Sequence, residues 1–199
     1  KLLGDIVNVV EKQSKECQLE IVQCDYQIKH WNLIGSPIHI KRMLMNILSN
    51  AVKYNRYKGK IILDCREVSC IGNAALIEFI CKDTGIGMSK EYQEHIFEPF
   101  TQEFNSARSS FGGTGLGMPI TKSLVEAMGG NIEFESEKNV GTTFRLKIPF
   151  KIDDCVHIEE PTEEEHNVSI EGVRVLVAED NDLNMEITEF VLSSVGAVV

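Results

Sequence analysis

The sequence lacks any apolar run near the ~20 residues that a membrane-spanning helix needs, so we expect a soluble segment. It also lacks the basic excess of proteins that bind a nucleic-acid backbone, because 20 Lys and Arg face 30 Asp and Glu. Its six cysteines include no CxxC pair, which favours reduced thiols over a disulfide framework. Neither an initiator Met nor a signal peptide is present at Lys1. We therefore expect a cytoplasmic piece of a longer protein, whose own membrane anchoring the sequence leaves open.

Basic residues are nearly missing from the last quarter of the chain. Residues 1–150 contain 18 basic and 17 acidic side chains, whereas residues 151–199 contain 2 and 13. The stretch 152–171 has eight acidic residues and no basic one, which is typical of a solvated linker. We therefore predict a first domain over 1–150, an acidic linker over 151–171, and an incomplete further domain over 172–199.

Hydrophobic periodicity predicts a mixture of helices and strands. The predicted helices span 2–15, 36–54 and 117–128, with a short one from Ser89. The predicted strands span 19–24, 31–34, 60–68, 74–81, 131–136 and 142–149. In the tail, the apolar run 173–178 predicts a strand, and a helical pattern follows it to about Ser194.

The helix predicted over 36–54 carries a polar stripe beside its apolar face. Its members, at steps of four, four and three residues, are Arg42, Asn46, Asn50 and Lys53. Asn is a poor helix former, so two Asn residues at interior positions indicate that their amides are needed. A neutral amide oxygen is a hard ligand that suits Mg²⁺ carrying waters and phosphate oxygens. The stripe indicates a metal–phosphate site, and a solvated helix face is the alternative.

The segment 83–88 follows directly after an apolar predicted strand. Asp83 at the strand end can accept a hydrogen bond from an exocyclic amino group. Gly85 and Gly87 let the backbone approach a flat ligand closely. Taken alone, the segment is equally typical of a tight surface turn.

A second glycine-rich loop, 111–117, leads into the helix predicted over 117–128. Glycines before a helix N-terminus can cradle phosphate through backbone N–H groups and the helix dipole. No Lys-Ser/Thr follows the last glycine, so the loop is not a Walker A motif. Met118 occupies the final glycine place of a dinucleotide fingerprint, which excludes that motif too.

Together these segments resemble the ATP-binding domain of sensor histidine kinases, the GHKL nucleotide-binding fold. In chain order they match its N box (46–54), first glycine box (83–88), F box (97–100), second glycine box (113–118) and third glycine box (141–144). The match spans about residues 1–150. It implies an α/β fold of Bergerat type, a two-layer sandwich in which a mixed sheet packs against helices.

The resemblance also implies a role for each matching position. Asp83 would receive the adenine amino group with support from Thr142, and Asn50 would coordinate the Mg²⁺ that bridges the phosphates. The other implied nucleotide-binding residues are Asn46, Lys53, Tyr54, Gly85, Gly87, Arg108, Gly113, Gly115, Leu116 and Gly117. Residues 101–115 would form a mobile lid over the nucleotide. ATP and Mg²⁺ are the implied cofactors.

Two positions depart from the family pattern. Asn139 stands where the third glycine box usually has its first glycine. Because Asn tolerates the left-handed region better than most residues, we expect the turn to be retained. Before Phe111 the family often has two basic residues, whereas here Ser109 and Ser110 follow Arg108, so one cation is missing or displaced.

The tail resembles the first strand and helix of a response-regulator receiver domain. Glu179 and Asp180 resemble the acidic pair that this domain carries at the end of its first strand. In a complete domain this pair would bind Mg²⁺. A kinase domain followed by a receiver is the order of a hybrid histidine kinase. The implied partners are a histidine-bearing dimerisation domain of the same protein, downstream phosphotransfer proteins, and a second copy of the parent, with no nucleic acid.

The implied activity is transfer of the γ-phosphoryl group of ATP to a histidine, and from there to a receiver Asp. None of the five histidines lies on an N-terminal dimer-forming helix beside an acidic residue. We therefore expect the phosphoacceptor to be absent and the chain alone not to phosphorylate itself.

The alternatives are a GHKL-type ATPase and a non-catalytic ATP-binding regulatory module, one that binds ATP weakly or not at all. An ATPase of this class uses a Glu one helical turn before the Mg²⁺-binding Asn, and Asn46, which stands there, cannot take a proton. The intact first glycine box argues against the regulatory module.

Overall fold

The computed structural model describes residues 2–24, 26–103, 114–153, 171–178 and 182–198, without the side chains of residues 16, 182–184 and 186–187. The chain forms two compact units, Lys1–Asp154 and Cys155–Val199. The first unit contains all five segments that resemble the kinase motifs.

The first unit is built on one six-stranded mixed sheet. Its strands are β1 (Glu20–Gln23), β2 (Leu33–Ile34), β3 (Lys60–Ile71), β4 (Ala74–Asp83), β5 (Asn131–Glu137) and β6 (Gly141–Ile152). They follow the order β1-β3-β4-β6-β2, and β5 also pairs with β6. β1 pairs with β3 in parallel, and the other named pairings are antiparallel.

The antiparallel pairing of β4 with β6 lies in the middle of this sheet. Its register runs from Ala74 opposite Lys151 to Asp83 opposite Thr142. Side chains alternate between the two faces of a strand, and one face of this pair is buried throughout. The buried residues are Ala75, Ile77, Phe79, Cys81, Thr142, Phe144, Leu146, Ile148, Phe150 and Ile152. The register therefore fixes which side chains meet where the two strands end.

Helices cover that apolar face. They are α1 (Leu2–Ser14), α2 (Pro37–Lys53), the short α3 (Lys90–Gln93) and α4 (Gly117–Ala127). α2 contacts α1, α4 and β4, and α4 also contacts β5 and β6. α2 begins at Pro37 because the Ser36 side chain caps it, accepting from the N–H of His39 at 3.4 Å. Within the described ranges, no helix has the length and apolar character needed to cross a membrane.

The predicted fold class is confirmed, with small shifts at strand ends. β3 continues to Ile71 although the pattern predicted an end at residue 68, because a bulge between Glu67 and Ser69 lets the pairing with β4 resume. β6 continues to Ile152, past the predicted end at residue 149, because its last two residues pair with β2. Hydrophobic alternation does not reveal either extension, since both depend on the partner strand.

The second unit differs from the prediction in its first element. Residues 173–178 were expected to form a continuous strand, but the described residues there make only an isolated parallel bridge between Arg174 and Val198. Val175 N–H donates to the Val198 oxygen at 2.8 Å, and Val198 N–H donates to the Val173 oxygen at 2.9 Å. A strand needs a partner of several residues, which this bridge does not supply. The predicted helix is present as α5 (Asp182–Ser194).

A buried carboxylate in the middle of β4 supplies a stability test. The Glu78 side chain is 3% exposed, and its Oε2 accepts from Nε and Nη2 of Arg66, both at 2.6 Å. Lys147 Nζ lies farther away, 3.9 Å from Oε1. Arg66→Met leaves the charge with this weaker partner, so we expect the free energy of unfolding, measured by urea denaturation, to fall by about 2 kcal/mol. The loss is smaller than for a fully buried pair because Arg66 is 44% exposed.

Lys60→Met is the matched control on the same strand. Lys60 pairs with Glu20 at 2.8 Å, but both side chains are more than half exposed. Exposed pairs contribute about 0–1 kcal/mol. Equal losses in the two variants would show that Glu78 is as well solvated as a surface carboxylate.

Candidate functional site

The ends of β4 and β6 bring Asp83 and Thr142 together. The two residues lie directly opposite one another in the strand register. Asp83 Oδ1 accepts from the backbone N–H of Gly85 at 2.8 Å, so the carboxylate closes the turn that follows β4. Thr142 is 8% exposed, and its Oγ1 lies 2.9 Å from Oγ of Ser136 on β5. A carboxylate and a hydroxyl therefore share one end of the sheet.

Gly85 fits a turn that leaves no room for a side chain. A Cβ at this position would lie 2.4 Å from the Tyr54 oxygen and 2.7 Å from Asp83 Oδ1. The next residue, Ile86, donates its N–H to the same Tyr54 oxygen at 3.0 Å. The loop after β4 is therefore fastened to the C-terminal end of α2, the helix that carries the Asn stripe.

The connection between β5 and β6 packs against the same loop. A Cβ at Gly87 would lie 1.9 Å from the Glu137 oxygen. Asn139 adopts φ +69° and donates its N–H to the Ile86 oxygen at 2.6 Å. The expectation that the turn is retained with Asn139 in it is confirmed, since Asn adopts the left-handed conformation here.

Burial makes the Asp83 carboxyl a weaker acid than usual. It raises the pKa of this carboxyl from 3.8 to about 6, and hydrogen bonds from the backbone N–H groups of Gly85 and Thr142 oppose the rise. Asp83 is therefore ionised at neutral pH, but at a desolvation cost to the unliganded fold. A partner that donates a hydrogen bond to the carboxylate would offset that cost.

Ser136 is a site residue that the sequence motifs do not include. Its Oγ donates to the Gly141 oxygen at 3.2 Å, accepts from the Met88 N–H at 2.9 Å, and lies 2.9 Å from Thr142 Oγ1. Gln93 adds a second tie, because its Nε2 donates to the Met88 oxygen at 3.0 Å and to the Ser136 oxygen at 3.1 Å. These bonds join the first glycine box to the strand that carries Thr142.

One sequence signal could have identified Ser136. It occupies the inward face of β5 two residues after Phe134 and four after Ile132, where the alternation would otherwise place another apolar residue. A polar residue on a buried face needs hydrogen-bond partners, and here it has them. Gln93 offers no comparable signal.

The side chain of Asn46 links α2 to α4. Its Nδ2 donates to the Gly117 oxygen and to Thr121 Oγ1, both at 3.2 Å. Thr121 is fully buried, and its Oγ1 donates to the Gly117 oxygen at 2.8 Å. The protein itself uses the amide nitrogen of Asn46, so the nucleotide contact predicted for this residue rests on its Oδ1.

The other members of the predicted phosphate site lie near the C-terminal end of α2. Asn50 is half-buried, one turn before this end. Lys53 Nζ lies 4.8 Å from the centre of the Tyr54 ring, and Tyr54 is 41% exposed. An amide, an ammonium group and an aromatic ring therefore belong to the last turn of the helix to which the Asp83 loop is bonded.

Gly115, Leu116 and Gly117 form the entry to α4. The N–H of Phe100, in the F box, donates to the Gly115 oxygen at 3.1 Å. Leu116 occupies the N-cap position, where no side chain of the described residues caps the helix. The first turn of α4 therefore offers the backbone N–H groups of Gly117 and Met118, though none from Pro119, as donors that an anion can use.

Four predicted site residues lie outside the described part of the chain. They are Arg108, Gly113, Glu179 and Asp180, and most of the predicted lid over 101–115 lies outside it as well. Their nucleotide and metal roles stay predictions.

The groups assembled here match the chemistry of a magnesium-bound nucleoside triphosphate. Asp83 can accept from an exocyclic amino group, and Asn50 offers the kind of neutral oxygen that Mg²⁺ accepts. Lys53 and the uncapped start of α4 supply positive charge for phosphate oxygens. α2 supports all of these groups, because the Asp83 loop is bonded to its end and α4 is bonded to Asn46.

The chain is similar to known proteins over nearly all of its length. The family model described as histidine kinase-, DNA gyrase B-, and HSP90-like ATPase matches residues 35–152. The sensor protein GacS of Pseudomonas syringae pv. syringae is 33% identical over 197 residues, which cover 98% of this chain and 21% of that protein. The histidine-protein kinase BarA of Escherichia coli K12 is 30% identical over 191 residues, which cover 96% of this chain and 20% of that protein.

Solved structures share the fold. The structure of full-length ShkA in complex with AMPPNP has a TM-score of 0.63 at 24% identity and covers 99% of this chain and 38% of that one. The catalytic domain of the histidine kinase ThkA has a TM-score of 0.58 at 22% identity and covers 74% of this chain and 91% of that one.

The fold is the one found in histidine kinase catalytic domains, as the ThkA structure shows. The chain belongs to the family of histidine kinase-, DNA gyrase B- and HSP90-like ATPases, by its match to the family model. It spans about a fifth of the length of GacS and BarA.

The pKa of Asp83 predicts a pH-dependent cost to the unliganded protein. Because the folded pKa of about 6 exceeds the ordinary 3.8, ionisation disfavours the fold increasingly as the pH rises between these values, and fully above them. Asp83→Asn removes the charge, so near pH ~8 and without nucleotide we expect a melting temperature about 3–6 °C above that of the wild type. Circular dichroism melts at a series of pH values would show this advantage shrinking toward pH ~4.

Glu135→Gln, at an exposed position on β5, is the control for the loss of one negative charge and should not shift the melting temperature. An Asp83→Asn variant that melts below the wild type at high pH would show that the carboxylate stabilises the unliganded fold, contrary to this account.

Proposed function

We propose that the chain binds ATP·Mg²⁺ and acts as the catalytic domain of a two-component sensor histidine kinase. In this role the γ-phosphoryl group passes to a histidine on a separate dimerisation domain and then to a receiver Asp. The observation that carries the proposal is the position of Asp83 opposite Thr142 where β4 and β6 meet. The Gly85 N–H donates to Asp83 Oδ1 at 2.8 Å and closes the turn that follows β4. Support also comes from the named sensor kinases that match 96–98% of the chain.

The residues of this chain would act by positioning and by balancing charge. Bound Mg²⁺ neutralises the phosphate oxygens and orients them. Asn50 offers an oxygen to the metal, while Lys53 and the first N–H groups of α4 face the phosphates. Asp83 selects the base, because its burial makes the ionised carboxylate costly and a further donor from the base offsets that cost. The acceptor histidine of the dimerisation domain is the nucleophile, so this chain needs to supply none.

Two features favour transfer to a protein over hydrolysis. Asn46 stands one turn before Asn50, where a hydrolytic member of the family uses a Glu, and an amide cannot take a proton from water. The Asn46 amide nitrogen is also held by Gly117 and Thr121, which commits the side chain to joining α2 and α4. The second candidate, a regulatory module without catalysis, is favoured by no described contact.

Titration with a non-hydrolysable ATP analogue tests the binding site. We expect saturable binding by the wild type that Mg²⁺ tightens at least about 10-fold. Asp83→Ala should weaken binding about 10- to 100-fold with or without the metal, since it removes a hydrogen bond to a charged group. Asn50→Ala should bind equally with and without Mg²⁺. Isothermal titration calorimetry measures all three.

Glu135→Ala and Asn8→Ala, at exposed positions on β5 and α1, are matched controls and should bind as the wild type does. Absence of saturable binding by the wild type would favour the regulatory module. Retention of the Mg²⁺ effect in Asn50→Ala would place the metal elsewhere.

We further propose that the phosphoacceptor histidine is not in this chain. His30 Nδ1 lies 2.9 Å from Glu67, His39 is in the first turn of α2, and His95 pairs with Glu98 at 3.0 Å. None of these three lies on the N-terminal helix α1. His157 and His166 lie outside the described residues.

Incubation with γ-labelled ATP tests this proposal. We expect no label on the chain alone and label on an added histidine-bearing dimerisation domain. Asp83→Ala should abolish the transfer, and Glu135→Ala should retain it. Label on the isolated chain would contradict the absence of an acceptor, and release of phosphate at the rate of a dedicated ATPase would favour hydrolysis.

For residues 172–199 we propose the beginning of a receiver domain, as in a hybrid kinase. The support is the order of the described segments: Arg174 precedes α5 in the chain and Val198 follows it. A parallel bridge joins these two residues, as expected for two strands connected by a helix. Glu179 and Asp180 would bind Mg²⁺ once such a domain is complete. We also propose that the parent is homodimeric and places this segment in the cytoplasm, where it meets its receiver and downstream phosphotransfer proteins.

A further inference from the structure

Glu67 on β3 is a buried carboxylate that the nucleotide site does not use. Its side chain is 4% exposed. One oxygen, Oε2, accepts from the backbone N–H groups of Lys29 and His30, both at 3.0 Å. The other oxygen, Oε1, lies 2.9 Å from Nδ1 of His30. The backbone therefore holds the carboxylate in one orientation, with one oxygen directed at an imidazole.

The β-bulge in β3 brings Cys70 to the same face as Glu67. Glu67 lies opposite Ile77 and Cys70 lies opposite Ala75, with Val68 as the extra residue. In a regular strand, residues three positions apart point to opposite faces of the sheet. One inserted residue between them brings both side chains to the same face. The bulge thus places a thiol on the side of the sheet where the carboxylate and the imidazole meet.

His30 is positioned by the segment that runs beside β3 after β1. Cys24 N–H donates to the Leu63 oxygen at 3.1 Å, and Gln27 N–H donates to the Cys65 oxygen at 3.1 Å. Glu67 N–H then donates back to the Gln27 oxygen at 2.8 Å. The imidazole therefore approaches β3 from a segment that the sheet itself holds.

We propose that His30, Glu67 and Cys70 form a Zn²⁺ site. One ligand atom from each residue lies within 4.8 Å of the other two. Ligand atoms around tetrahedral Zn²⁺, with bonds of about 2.0–2.3 Å, are roughly 3.3–3.7 Å apart, so modest side-chain movements close the site. Imidazole, thiolate and carboxylate are the ligands that Zn²⁺ takes, whereas Mg²⁺ and Ca²⁺ prefer oxygen alone.

Binding replaces the His30–Glu67 hydrogen bond with two metal bonds and releases the thiol proton of Cys70 to solvent. Three protein ligands leave the fourth position to water. Cys70 is exposed, so the ion has access from solvent.

The site is remote from the nucleotide-binding end of the sheet. Ile61 lies opposite Asp83, and Cys70 is nine residues farther along β3. At ~3.3 Å per residue this is roughly 25–30 Å, which excludes a shared ligand. Zn²⁺ should therefore fasten the segment before β2 to the β3–β4 hairpin and raise thermal stability, while the affinity for the ATP analogue stays unchanged.

Titration of the full, reduced chain with Co²⁺ and then Zn²⁺ tests the site. We expect one equivalent of Co²⁺ to produce a thiolate-to-cobalt charge-transfer band, which Zn²⁺ removes by displacement. Cys70→Ser should abolish the band, and His30→Ala should weaken Zn²⁺ binding at least about 100-fold, since even indirect partners of a ligand contribute ~10–100-fold. Zn²⁺ should raise the melting temperature of the wild type and not that of Cys70→Ser.

Two controls separate this site from other donors in the chain. Cys17→Ser removes another exposed cysteine, and the His157→Ala/His166→Ala double variant removes the histidines of the acidic stretch. Both should keep the band and the Zn²⁺ affinity. A band that survives Cys70→Ser, a band lost in either control, or an equal thermal shift in wild type and Cys70→Ser would each overturn the proposal.

Discussion

The nucleotide site depends on the hydrogen bonds that fasten two loops to α2. At the C-terminal end of this helix, the Tyr54 oxygen accepts from Ile86 at 3.0 Å and so holds the loop that Asp83 closes. One turn before Asn50, the Asn46 amide donates to the Gly117 oxygen at 3.2 Å and holds the start of α4. The groups that we propose to bind the base and the phosphates therefore keep their relative positions only while α2 stays packed in the core.

Asp83 shows why such a site lowers the stability of the protein that contains it. The β4–β6 register places the carboxylate opposite buried Thr142, and burial raises its pKa to about 6. Burial makes this charge costly to the unliganded protein, and the selectivity that we propose for a base with an amino group follows from the same cost. Ser136 keeps this arrangement rigid by joining Met88, Gly141 and Thr142.

Local patterns predicted the parts of the fold that local interactions decide. The Ser36 cap, the apolar face of α2 and the left-handed Asn139 follow from residue chemistry within a few positions. The failures involve partners distant in sequence. β3 continues past the predicted end because β4 pairs with it beyond a bulge, and the run 173–178 makes one bridge rather than a strand.

The sequence by itself determined the fold class and the motifs, because glycine spacing, caps and hydrophobic periodicity act over short distances. It could not show that Asn46 binds Gly117, that Ser136 supports Thr142, or that His30 meets Glu67, since these contacts join residues far apart in the chain. The bulge at Val68 is the clearest example of a feature that only the tertiary structure decides. One inserted residue reverses the face to which Cys70 points, and only pairing with β4 decides where that insertion lies.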